Sequence, residues 1–133
     1  MIPVEELRKE NKEIKDVSEV ISILVSHSSL HGNDVFCDLL KRFQKKLNDH
    51  LMHEARSIYP ELLNHDDANI KQVAKDFVSN THELERILKK YTKRWCKDVN
   101  REDHEKFENE TKELFKLIDE RIQLEETHLF PVL

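Results

Sequence analysis

A chain of 133 residues suits one domain, spanning 1–133, and is long enough to bury a core without staples. One Gly and three Pro leave few breakers, and 37% charged beside 38% hydrophobic residues favours helix over sheet. A net charge of −5 with no strongly basic face argues against nucleic acid, and the cluster Lys41, Arg42, Lys45 and Lys46 reads as a solvated helix face. No stretch approaches a membrane span, and the N-terminus lacks the apolar run of a signal peptide. The cytoplasm is therefore expected. Cys37 and Cys96 have no metal-like spacing, and reduced thiols are expected of them.

Apolar periodicity divides the chain into four helical segments. The first runs from Val4 to Ser28 with Leu7, Ile14, Val17, Ile21, Leu24 and Val25 inward, and Pro3 at its start. A Ser/His/Gly/Asn stretch, Ser26 to Asn33, ends it. The second runs from Asp34 to Leu63 on the stripe Phe36, Leu40, Phe43, Leu47, Leu51 and Ile58, and the polar run Asn64 to Asn69 closes it. The third runs from Ala68 to Trp95, with Ile70, Val73, Ala74, Phe77, Val78, Leu84, Leu88 and Tyr91 inward. After a turn at Lys97 to Asn100, the fourth runs from Arg101 to Phe130 with Phe107, Leu114, Ile118, Ile122 and Leu129 inward. Long helices joined by short loops predict an all-α, antiparallel up-down-up-down four-helix bundle. The second and fourth segments also end alike, as Ile58-Tyr59-Pro60 and Leu129-Phe130-Pro131.

Polar residues interrupt the apolar stripes. Asn11 steps in line with Leu7 and Ile14, and His50 and Glu54 lie between Leu47 and Ile58. His82 and Glu85 follow Ala74 and Val78, and Arg121 and Glu125 lie between Ile118 and Leu129. At about 1.5 Å of rise per residue these positions agree in height within roughly two turns. Four helices are thus expected to project polar groups into one core layer. Buried ionisable groups are costly unless paired or metal-bound, and carboxylates with imidazoles inside a helical bundle are the usual makings of a non-haem metal centre.

The chain resembles the hemerythrin-like, or HHE cation-binding, family over nearly its whole length. Leu7-Arg8-Lys9-Glu10-Asn11-Lys12-Glu13-Ile14 resembles the family's opening Leu-Arg-x-Glu-His-x-x-Ile motif. His50-x-x-x-Glu54 with Ile58-Tyr59-Pro60, Thr81-His82-Glu83-Leu84, and Arg121-x-x-x-Glu125-Glu126 with Leu129-Phe130-Pro131 resemble its later motifs. The resemblance implies a bundle binding two irons, bridged by two carboxylates and capped by histidines, in oxygen binding, iron or oxygen sensing, or nitrosative-stress responses. Carried over, His50 and His82 become terminal imidazole ligands and Glu54 and Glu125 bridges, with Glu126 as a substitute in a longer register.

Asn11 and Arg121 stand where the resemblance expects histidines, and Val78 where some members carry an extra one. Asn is a poor iron ligand and protonated Arg is none. Two readings stay open. In one, His50, Glu54, His82 and Glu125 hold a single iron, manganese or zinc ion. In the other, the bundle is metal-free, Arg121 pairs with the carboxylates, and the role is regulation through an unknown protein partner. No enzyme is expected, since no Gly-rich phosphate loop, nucleophile elbow or Ser/His/Asp arrangement occurs. His27 and His31, with His104 near them, read as an exposed loop more than a zinc pair, and His53, His65 and His128 as surface or rim residues.

Overall fold

The computed structural model describes residues 3–26, 34–96 and 104–133, and the expectation for His27 and His31 lies outside them. Among the described residues there is helix and no strand. The long helices are α1 (Val4–Val25), α2 (Asp34–Ser57), α4 (Ala68–Trp95) and α5 (His104–Leu124), with a short α3 (Tyr59–Leu63) after α2. Helix α1 packs on α2 and α5, and α4 packs on α2 and α5, so the four long helices form a closed ring of neighbours.

Local chemistry sets most of the boundaries. Pro3 precedes α1 in extended conformation, where its missing N–H costs nothing. Asp67 caps α4 by accepting the Asn69 backbone N–H at 2.8 Å. The expected second segment is broken at Ile58, because Pro60 has no N–H to give to the Arg56 carbonyl and disfavours helical geometry at Tyr59. Helix α3 restarts at once, with the Leu62 N–H bonding to the Ile58 carbonyl at 3.1 Å. The fourth segment ends by the same logic. Before Pro131 the chain widens into a π turn, Glu125–Leu129, and then tightens into a 3₁₀ turn, Phe130–Val132.

The core falls into two apolar clusters. One gathers Ile14, Ile21, Phe43, Leu47, Leu84, Leu88, Phe107, Leu114 and Ile118. The other gathers Leu7, Ile58, Tyr59, Leu62, Ala74, Phe77, Leu129 and Phe130. Along α1 and α4, and along α2 and α5 taken with the turns that follow them, the switch from one cluster to the other brackets a buried polar residue. Asn11 lies between Leu7 and Ile14, His50 and Glu54 between Leu47 and Ile58, Thr81 between Phe77 and Leu84, and Arg121 and Glu125 between Ile118 and Leu129. The expected polar layer thus exists and divides the core.

One expectation is overturned here. Cys37 and Cys96 are joined in a disulfide across 59 residues of chain, with Cα atoms 5.3 Å apart. Their sequence spacing carries no signal. The pairing arises because α2 and α4 are packed together, with Cys37 in the first turns of α2 and Cys96 just past the end of α4.

Candidate metal centre

Helix stride alone carries five polar side chains inward. Asn11 and His50 are each 2% exposed, Arg121 is 4% exposed, and Glu54 and Glu125 are fully buried. Buried charges of this kind are tolerable only when they meet one another.

Arg121 is the hub. Its Nε donates to Glu125 Oε2 at 3.0 Å, and its Nη2 donates to Glu54 Oε2 at 2.8 Å. Nη2 also donates to the Tyr59 hydroxyl. Nη1 donates to the Phe77 carbonyl at 3.2 Å and to Asn80 Oδ1 at 2.8 Å. The guanidinium lies 5.2 Å from the Phe77 ring centroid, which adds a cation–π contact. Tyr59 in turn donates to Glu54 Oε2 at 3.0 Å, and Thr81 Oγ1 lies 3.4 Å from the tyrosine oxygen.

His50 closes the opposite side. Its Nε2 lies 2.5 Å from Glu54 Oε1 and 3.2 Å from Glu125 Oε1. Only the Glu125 contact is aligned as a hydrogen bond, and Glu54 Oε1 has no aligned partner, so the shorter contact is an ion pair. The Nδ1 atom lies 2.9 Å from Glu10 Oε1, and Glu10 Oε2 lies 2.6 Å from Nδ1 of the half-buried His53. At the rim Asn11 donates to Glu126 Oε1 at 3.3 Å, and Arg8 pairs with Glu126 at 3.5 Å.

The electrostatics follow from these contacts. Burial alone would lower the His50 pKa, but hydrogen bonds to Glu10 and Glu125 and the close Glu54 carboxylate push it up to about 11. With a carboxylate on each ring nitrogen, His50 is a cation. Burial works against ionisation of Glu54, yet contacts with Glu125 and His50 and the charge of Arg121 hold its carboxyl well below the usual range. Burial and then the neighbouring Glu54 charge push Glu125 upward. Glu10 is lowered, since its bonds to His50 and His53 outweigh its partial burial. Burial and the Glu54 charge raise the Tyr59 hydroxyl, which stays a donor.

The structure brings together His50, Glu54 and Glu125, each offering a ligand atom, with those atoms all within 4.8 Å of one another. Such a group could hold a metal ion. It does not bring in His82. That side chain is exposed, and so is Glu85, because the inward line of α4 runs through Ala74, Phe77, Thr81, Leu84 and Leu88. One residue past Thr81 is a rotation of about 100°, which takes His82 off that face. Glu126 is partly buried and pairs with Asn11 and Arg8 at the rim. His104 lies 3.6 Å from Glu108 at the start of α5, and His65 accepts the Asp67 N–H at 3.0 Å.

Sequence reasoning missed Glu10, Tyr59 and Asn80. Glu10 had a signal, as the residue next to Asn11 in the opening motif. Tyr59 had a fainter one in the Tyr-Pro pair that opens α3. Nothing marked Asn80, which is exposed and reaches Arg121 by its side chain alone.

Helices closing around a buried layer of imidazole, carboxylates and guanidinium define a class, the helical bundles with an ionisable centre. The chain matches the Hemerythrin HHE cation binding domain over residues 2–133, and it belongs to that family. No curated protein and no solved structure gives a significant match to it.

Proposed function

We propose that this protein is a hemerythrin-family bundle in which the Arg121 guanidinium takes the place of bridging metal, and that it acts as a metal-free regulatory or interaction domain. The observation that carries this reading is the single side chain bonded to one oxygen of Glu54 and one oxygen of Glu125. A planar fork with fixed charge satisfies two carboxylates from different helices as a bridging cation would.

The two-iron centre that the family implies does not fit these residues. One imidazole, His50, converges with the carboxylates among the described residues, and Asn11 and Arg121 occupy the positions where further histidines are expected. Both carboxylates already share an oxygen with the guanidinium, and a second metal would have to displace a permanent cation.

A second reading has its own support. Glu54 Oε1, Glu125 Oε1 and His50 Nε2 converge on the side away from Arg121, and together they would hold one divalent ion in an imidazole–carboxylate set. Such an ion would have to displace the proton from His50 Nε2. Iron(II), manganese(II) and zinc(II) titrations at pH 6 and pH 8, followed by calorimetry, separate the two readings. The metal-free reading expects no saturable uptake at micromolar metal. Saturable one-site binding at both values would establish the second.

A further inference from the structure

We propose that Cys37 and Cys96 form a reversible thiol–disulfide pair whose reduction loosens the aromatic end of the bundle. The pair lies away from the ionisable layer and is not used by it. Its Cα separation of 5.3 Å falls inside the span of about 4.4–6.8 Å that a disulfide bridges. Both cysteines are only partly buried, so a small thiol can reach them. Their sequence neighbours are the structural point. Phe36 and Trp95 both pack on Phe107, with ring centroids 5.6 Å and 5.0 Å away, and Tyr91 stacks on the same ring at 6.2 Å. The bridge therefore clamps α2 to α4 where the aromatic cluster joins them to α5. It also closes a separation of 59 residues, and a long closed loop restricts the unfolded chain strongly.

The chemistry is a two-electron exchange. The thiolate of a small-molecule thiol attacks one cysteine sulfur, the S–S bond breaks, and the other sulfur leaves as a thiolate that takes a proton. A second small thiol then displaces the first. The protein ends with two thiols and the small molecule as its disulfide. Closure is the reverse reaction with the oxidised small molecule.

Trp95 is the only tryptophan in the chain and directly precedes Cys96, so its fluorescence reports the bridge. The test is a titration of the folded full chain in mixtures of reduced and oxidised glutathione. Trp95 emission, maleimide adducts counted by mass after denaturation, and thermal unfolding are read at each point. Protein prepared without reductant takes up no maleimide, and the reduced form takes up two. Reduction changes the emission in the same transition and lowers Tm by roughly 10 °C, and oxidised glutathione restores it. The Cys37→Ala, Cys96→Ala chain unfolds at the reduced Tm in every mixture. Two adducts before reduction, resistance of the folded chain to glutathione, or equal Tm in both states would each overturn the proposal. The titration of the unaltered chain decides the matter even where the variant does not fold.

Discussion

Arg121 directs all five of its N–H groups at acceptors, namely Glu125, Glu54, Tyr59, Asn80 and the Phe77 carbonyl. A side chain so committed cannot be removed cheaply, because Glu54 and Glu125 stay buried without it. Arg121→Met is expected to cost about 3–5 kcal/mol in urea unfolding at neutral pH. Arg121→Lys is expected to recover little of it, since an ammonium is a point charge and cannot bridge two carboxylates in a plane. Full recovery by lysine would mean that charge alone matters. His50 makes a second prediction. Its folded pKa is raised from 6.5 to about 11, so the folded state holds a proton that the unfolded state releases between those values. That stabilisation is complete below about pH 6.5 and is lost as pH rises toward 11. Urea midpoints of the native chain should fall from pH 7 to pH 10, and the His50→Gln chain should show a flatter profile. Equal slopes in the two proteins would place the proton elsewhere. Asn11, His50, Glu54, Arg121 and Glu125 were legible from sequence because each falls on the stride of its apolar neighbours. Glu10, Tyr59 and Asn80 were not, because their roles depend on rotamers and on which helices meet.

Helix α4 shows how finely register decides chemistry. A histidine in a motif context drew attention to His82, while the inward position belongs to Thr81, whose hydroxyl bonds to the Phe77 carbonyl at 2.9 Å and carries little sequence signal. The apolar residues already held the answer, since Phe77 and Leu84 are the buried neighbours and Thr81 bisects them. His82→Ala is therefore expected to change unfolding free energy by less than about 0.5 kcal/mol, as at other exposed sites. Introducing histidines at the inward positions should do the opposite to metal affinity. Asn11→His with Arg121→His should raise iron uptake above that of the native chain, and adding Thr81→His should raise it further. Iron per chain after reconstitution measures both steps, and no gain from the third histidine would show that the inward line of α4 is misassigned. The proline-set breaks at Ile58 and before Pro131 were partly legible. A proline near the last turn of each segment is visible in the sequence, but the second segment is expected to run on to Leu63, and neither its break and restart as α3 nor the π turn at Glu125 is forecast.

At the scale of the whole molecule, the ionisable layer separates two apolar clusters; α1 and α4 contribute to both sides of it, and α2 and α5 reach the second cluster through the turns that follow them. Hydrophobic burial supplies the bulk of the stability, with each fully buried Leu or Phe contributing about 1.5–3 kcal/mol. The layer adds specificity, since a slip of α5 along α2 would separate Arg121 from Glu54, while Glu125, in the π turn that continues α5, would move with it. The all-helical architecture was legible from periodicity, while the Cys37–Cys96 bridge was not, because only the packing of α2 on α4 brings the two sulfurs together. No described helix is long and apolar enough to cross a membrane. The substitution of a guanidinium for metal is tested most directly by metal analysis of the native chain expressed with ample iron, together with its optical spectrum. Iron well below one atom per chain and no charge-transfer absorption is the expected result. A stoichiometric, coloured two-iron centre in the native chain would contradict it.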